Sequence, residues 1–320
     1  MGIETALRPA VRPHRATTIG MIAATSIAPI AWGTTYAVTT QFLPAGHPLF
    51  ASLLRSLPLG LLAIAFTRHV PRGSWRWKAP ILGVLNIGAF FPLLFVAAEH
   101  LPGGVAATLG ATQPLIVAGL SVLVLRESPS LWRIAWGVVG AVGVALVVLG
   151  PAARFDPLGI AAGLGGAVVM ALGVTLAKLW GRPAGVGAAT LAGWQLASGG
   201  LVLLPLALAV EGVPPRLDLA AAGGYAWLAT VGGLFAYVLW FRGIGRLPIT
   251  ATALLGLLSP LVAALIGALL LGEPLAPIQS AGFGVALLAL LAGQLSPGQR
   301  SRSAPPSPVE GLSEESRRAP

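Results

Sequence analysis

The sequence predicts an all-α integral membrane protein of ten transmembrane helices in two inverted five-helix repeats. Three observations carry this: ten apolar runs long enough to cross a bilayer, a one-sided distribution of basic residues between them, and a match of the chain to itself 146 residues downstream. Of 320 residues, 56% are hydrophobic and 9% charged, with a mean hydropathy of +0.84, whereas soluble domains carry about a quarter charged residues.

In a window of roughly 19 residues the apolar runs are Ile19–Leu43, Pro48–Thr67, Ala79–Ala98, Leu101–Leu125 and Leu131–Leu149, then Pro157–Ala177, Gly187–Val210, Leu219–Phe241, Ile249–Leu271 and Pro277–Leu295. In lipid every backbone N–H and C=O needs an internal partner, so runs of this length must be helices; barrel strands would alternate polar and apolar. The arginines ahead of Ile19 resemble the start of a signal peptide, but the apolar run continues to Leu43 and more spans follow, so it reads as the first helix.

Basic residues in short loops mark the cytoplasmic side. With the N-terminus inside, 17 of the 20 fall on that side: Arg8, Arg12 and Arg15; Arg68, Arg72, Arg76 and Lys78; Arg126 and Arg133; Lys178 and Arg182; Arg242 and Arg246; and Arg300, Arg302, Arg317 and Arg318. Arg154 and Arg216 fall on the other side, and Arg55 lies within a span. Missing or inventing one helix would destroy this partition, so it predicts ten spans with both termini cytoplasmic. Residues 1–18 form an N-terminal cytoplasmic tail, and residues 296–320, rich in Pro, Ser and charge, form a disordered C-terminal one.

Superposing Leu101–Glu127 on Leu247–Glu273 matches 11 of 27 positions, including Gly110 with Gly256, Pro114 with Pro260 and Glu127 with Glu273. Chance in so biased a composition gives roughly three. A shift of 140 pairs Gly33 with Gly173 and Arg55 with Gln195. Residues 19–150 and 151–295 therefore read as two repeats; each holds an odd number of spans, so the second is inverted. Such repeats suit alternating access to a site near the bilayer midplane.

The Trp32-Gly33-Thr34-Thr35-Tyr36 run, Arg55 in the second span, the Gly103–Pro114 stretch and the helix-end pairs Arg126-Glu127 and Glu273-Pro274 resemble the EamA family of the drug/metabolite transporter superfamily. Leu85-Asn86-Ile87-Gly88 and Leu101-Pro102-Gly103-Gly104 are similar to its branch named for a blue-pigment (indigoidine) exporter. The resemblance implies ten helices in two repeats and export of metabolites or amino acids. The second half departs from strict repetition at Leu172, opposite Trp32.

Arg55 is the one basic residue inside a span, where insertion costs at least about 2.5 kcal/mol, and no carboxylate lies deep enough to pair with it. It either faces substrate in a water-accessible cavity, snorkels, or satisfies the carbonyls of a broken helix. Trp32, Tyr36 and Trp194 are aromatic candidates for the cavity wall, while Tyr237 and Trp240 fit an interfacial belt. Asn86, Gln113 and Gln195 could contact ligand or bond between helices. Pro114 and Pro260 should kink repeat-related helices as hinges. Glu99 and His100 are candidates for proton coupling, or a solvated loop.

Several chemistries are excluded. There is no cysteine, no phosphate-binding loop and no His–carboxylate cluster, which removes thiol chemistry, ATP hydrolysis and a metal site. No enzyme and no cofactor is expected. The net charge of +10 follows topology rather than a nucleic-acid surface. The expected partners are a small-molecule substrate and the bilayer, and a homodimer is compatible with the chain. The leading expectation is a secondary transporter, with a membrane sensor or scaffold as the rival. The composition, rich in Ala, Gly, Pro and Arg, points to a bacterial plasma membrane.

A C-terminal green fluorescent protein fusion should fluoresce, and an alkaline phosphatase fusion at the same site should be inactive. The reverse pattern would contradict the cytoplasmic C-terminus.

Overall fold

The computed structural model describes residues 15–100, 109–127, 130–148, 156–214, 217–270 and 275–295. Both expected tails, apart from Arg15–Thr18, lie outside the described residues, as do Gly103, Glu273 and the side chains of Tyr36 and Glu99. Among the described residues there are helices and no strands.

The chain begins with α1 (Arg15–Phe42) and α2 (Pro48–Thr67). Next come α3 (Trp75–Gly83), a π-helical segment (Val84–Ala89) and α4 (Phe90–His100). Then follow α5 (Gln113–Leu123), α6 (Leu131–Val148), α7 (Pro157–Trp180) and α8 (Ala188–Val210). A second interrupted helix runs through α9 (Leu219–Ala229), a π segment (Thr230–Phe235) and α10 (Ala236–Ile244). The last are α11 (Ile249–Leu255), α12 (Leu258–Leu270) and α13 (Pro277–Gln294). Seven described helices are long and apolar enough to cross a membrane, and their outer faces carry side chains such as Phe66, 83% exposed, as a lipid solvent requires.

Two helix pairs form the tightest seams. Along α2 and α8 a Cβ on Gly60 would sit 2.3 Å from the Ala197 backbone nitrogen, and one on Gly200 would sit 2.7 Å from Leu57 Cβ. Along α6 and α13 a Cβ on Gly143 would lie 2.6 Å from the Ala286 nitrogen. Lipid tails are as apolar as leucine, so helices here gain by dispersion at close backbone approach, which small residues permit. Elsewhere α1 packs on α10 and α12, α4 on α7, and α5 on α7 and α11.

Helix ends meet partners from distant segments. The Glu211 carboxylate, just past α8, accepts from the Leu49 and Phe50 amides at 2.8 and 2.9 Å, so a negative group caps the α2 N-terminus. The Lys178 ammonium donates to the Ile244 and Leu247 carbonyls at 2.9 and 2.8 Å, satisfying the end of α10 with a cation.

The expected fourth and ninth spans are broken just ahead of Pro114 and Pro260. A proline cannot donate to the carbonyl four residues back, Gly110 or Gly256, so the chain turns at 111–112 and 256–257 before helix resumes. Shorter i→i−3 bonds carry the turns, from the Thr112 amide to the Leu109 carbonyl at 3.1 Å and from Gly256 to Ala253 at 3.0 Å.

Gly60→Ala should destabilise the protein by about 1–3 kcal/mol, because the neighbour it strikes is backbone that cannot rotate away. Gly119→Ala, with nothing within 4 Å of the added carbon, should leave the melting temperature of the purified protein unchanged or slightly raised.

Candidate functional site

The two π segments lie 146 positions apart, the offset at which the sequence matches itself. A π turn bonds i→i+5 and so leaves a backbone carbonyl without its usual helical partner. In a lipid-facing bundle such a group must be satisfied from another element. At equivalent positions of the two segments, Asn86 and Gly232, that is what occurs.

The Gly232 carbonyl accepts two bonds, from Arg55 Nη2 at 2.9 Å and from Trp32 Nε1 at 3.0 Å. Arg55 comes from α2 and Trp32 from α1, so three elements converge on one oxygen. The guanidinium lies 5.2 Å from the centre of the Phe91 ring, a cation–π contact in a desolvated site, while its Nε has no partner. Glycine is needed at 233: a Cβ there would lie 2.8 Å from the Arg55 carbonyl, closer than any side chain tolerates.

On the other side, the Asn86 carbonyl accepts from the Tyr237 hydroxyl at 3.3 Å. The Asn86 side-chain amide donates to Gln195 Oε1 at 2.7 Å, leaving Asn86 Oδ1 and Gln195 Nε2 without partners. Both residues are fully buried. Gly173 makes room, since a Cβ there would collide with the Asn86 amide. Trp32 joins the two halves: its ring meets Tyr237 at 5.3 Å and Trp240 at 5.1 Å.

The structure thus brings together Arg55, Trp32, Asn86 and Gln195. Arg55 is buried, 8% exposed, and of the three expectations for it the contact observed is with the carbonyl of a broken helix. Trp194 lies apart, its indole N–H donating to the His69 carbonyl at 2.7 Å in the α2–α3 connection. Gln113 starts α5 beside the buried Pro114, with its Nε2 unpartnered. Tyr36 lies outside the described side chains. His100 pairs with Asp156 at 3.4 Å on a half-exposed surface. Tyr237 and Trp240, expected at the interfacial belt, are instead 2% exposed, packed against Trp32 where α10 lies on α1. The residues that sequence reasoning missed are Gly232, Gly233 and Phe91. The paired glycines inside an apolar span were the available signal for the first two.

Replacing Gln195 by Met should cost about 1–3 kcal/mol, the penalty of leaving the buried Asn86 amide unmatched. The double variant Asn86→Leu/Gln195→Met should cost less than the sum of the two single changes, and a double-mutant cycle of thermal or denaturant unfolding reads the coupling.

Comparison with known proteins agrees with this architecture. The model of the EamA-like transporter family matches the chain twice, over residues 18–149 and 157–292. Protein PecM of Dickeya dadantii (strain 3937) is 46% identical over 255 residues, covering 80% of this chain and 86% of that protein. The Uncharacterized inner membrane transporter YedA of Escherichia coli (strain K12) is 28% identical over 275 residues, covering 82% and 86%. A protein of known crystal structure superposes with a TM-score of 0.71 at 20% identity, covering 87% of this chain and 96% of the other, which supports the fold alone. Two family matches spanning nearly the whole chain, with a relative at 46% identity, mean that the chain belongs to the EamA-like transporter family: it is a multi-pass membrane transporter of small molecules and not an enzyme.

Proposed function

We propose that the protein is a secondary transporter that exports a small organic metabolite, an amino acid derivative or pigment, by alternating access. The observation that carries this reading is the convergence of Arg55, Trp32 and the Gly232 carbonyl at an interrupted helix. A buried guanidinium with an unpartnered Nε is a costly group to keep in an apolar bundle, and its release from one carbonyl would present a fork suited to a carboxylate.

The fold in this reading has ten spans in two inverted five-helix repeats, residues 19–150 and 151–295, flanked by tails at 1–18 and 296–320. The shared 146-residue offset of sequence and π segments supports the repeat, as does the double family match. The pairs Arg55 with Gly232 and Gln195 with Asn86 are then one interaction built twice with different chemistry. Substrate contacts fall to Arg55, Trp32, Tyr36, Asn86, Gln113, Trp194 and Gln195, with Trp194 toward the mouth. Pro114 and Pro260 act as hinges where the helices are already broken.

The orientation has both termini in the cytoplasm of a bacterial plasma membrane. Bonds between helix ends support the alternation of loops between two faces: Glu211 with α2 and His100 with Asp156 join segments of one face, whereas Lys178 with α10 and Trp194 with His69 join segments of the other, which the charge partition assigns to the cytoplasm. Glu99 and His100 are the candidates for proton coupling, His100 lying 3.4 Å from Asp156, and assembly as a homodimer is compatible with the exposed apolar helix faces.

Proteoliposome flux across a panel of metabolites tests the reading. Carboxylate-bearing compounds should move, Arg55→Gln should lower that flux at least tenfold while the protein stays folded, and Arg55→Lys should restore it in part, because an ammonium cannot grip a carboxylate bidentately. Normal flux in Arg55→Gln would remove the arginine from the mechanism. Absence of any substrate-dependent flux would favour the sensor or scaffold.

A further inference from the structure

The segment joining α2 to α3 and the first turn of α3 carry Arg68, Arg72, Arg76 and Lys78 within eleven residues. Topology alone asks for basic residues at this end, but does not ask for a shaped recess. One is present, about 300 Å³ in volume, bounded by Arg68, His69 and Arg72 on one side, Pro183 and Val186 on the other, and the buried Trp194 behind. Packing builds its walls. Trp194 donates to the His69 carbonyl at 2.7 Å and its ring lies 6.0 Å from Trp75. Arg68 closes α2 in the left-handed conformation, φ 51°, with its amide bonded to the Ile64 carbonyl at 2.8 Å.

Charge at the recess is uncompensated. No carboxylate lines it, and among the described residues neither Arg68 nor Arg72 pairs with one. Two guanidiniums facing one concavity suit a phosphate oxyanion. The depth is marked independently. Lys78 Nζ sits 5.8, 5.5 and 5.6 Å from the rings of Trp75, Trp77 and Trp180, and indoles gathered with a lysine at a helix end lie at headgroup level.

We propose that this recess binds the phosphate of an anionic phospholipid headgroup, with Arg68 and Arg72 as its ligands. The site lies at the end of the bundle, apart from the Arg55 cluster; it shares only the Trp194 wall with the proposed substrate contacts and does not depend on the identity of the transported substrate.

The test titrates the purified full-length protein in detergent with phosphatidylglycerol, phosphatidylcholine or glycerol 3-phosphate, reading bound lipid by native mass spectrometry and the thermal midpoint in parallel. Phosphatidylglycerol should bind and raise the midpoint, phosphatidylcholine should bind more weakly, and glycerol 3-phosphate should have little effect. Arg72→Gln and Arg68→Gly should each weaken phosphatidylglycerol binding about fivefold; glycine suits the backbone at position 68, so that variant keeps the fold if the other does not. Arg242→Gln, at the same end of the bundle, should bind as the wild type does. Equal binding of the two lipids, or an equal loss in Arg242→Gln, would overturn the proposal. Glycerol 3-phosphate binding as tightly as phosphatidylglycerol would reassign the recess to a soluble phosphate ester and overturn the lipid assignment.

Discussion

The absence of water inside a bilayer means that every interruption of a helix must be repaired by another part of the protein. Two π segments and two proline breaks interrupt the bundle; local backbone bonds carry the proline turns, whereas side chains from other helices reach the carbonyls of the π segments. The Gly232 carbonyl draws Arg55 and Trp32, and the Asn86 carbonyl draws Tyr237. The polar cluster is thus a consequence of broken helices rather than a decoration on intact ones.

Where the two π segments correspond, their chemistry differs. One carbonyl faces a guanidinium, and beside the other an amide pair is closed on itself with a free donor and a free acceptor. Phe91 and Tyr237, also 146 positions apart, follow the same division: the phenyl ring takes the cation and the phenol supplies a hydrogen bond.

Rigid and yielding parts are separately built. Glycine contacts lock α2 to α8 and α6 to α13 so closely that a single added carbon meets backbone, and dense interfaces of this kind move as units. The breaks before Pro114 and Pro260 lack full helical bonding and are where a change of shape would cost least.

By itself the sequence determined the membrane class, the helical content and the family, since hydropathy, charge partition and internal matching act over tens of residues and survive local irregularity. It also determined the importance of Arg55, because a lone charge in an apolar run carries a cost wherever it points. Its partner could not be read, since a backbone carbonyl has no residue type: Gly232 accepts from Arg55 and Trp32 within a π segment, and Tyr237 and Trp240 became core through the packing of α10 on α1. Trp194 shows the reverse case. Its neighbour Gln195 enters the buried cluster, while one residue of helical rotation, roughly 100°, turns the indole toward the α2–α3 connection. Tertiary structure decided these placements because they depend on helix phase and bond register across elements far apart in the chain, which no local pattern of residues encodes.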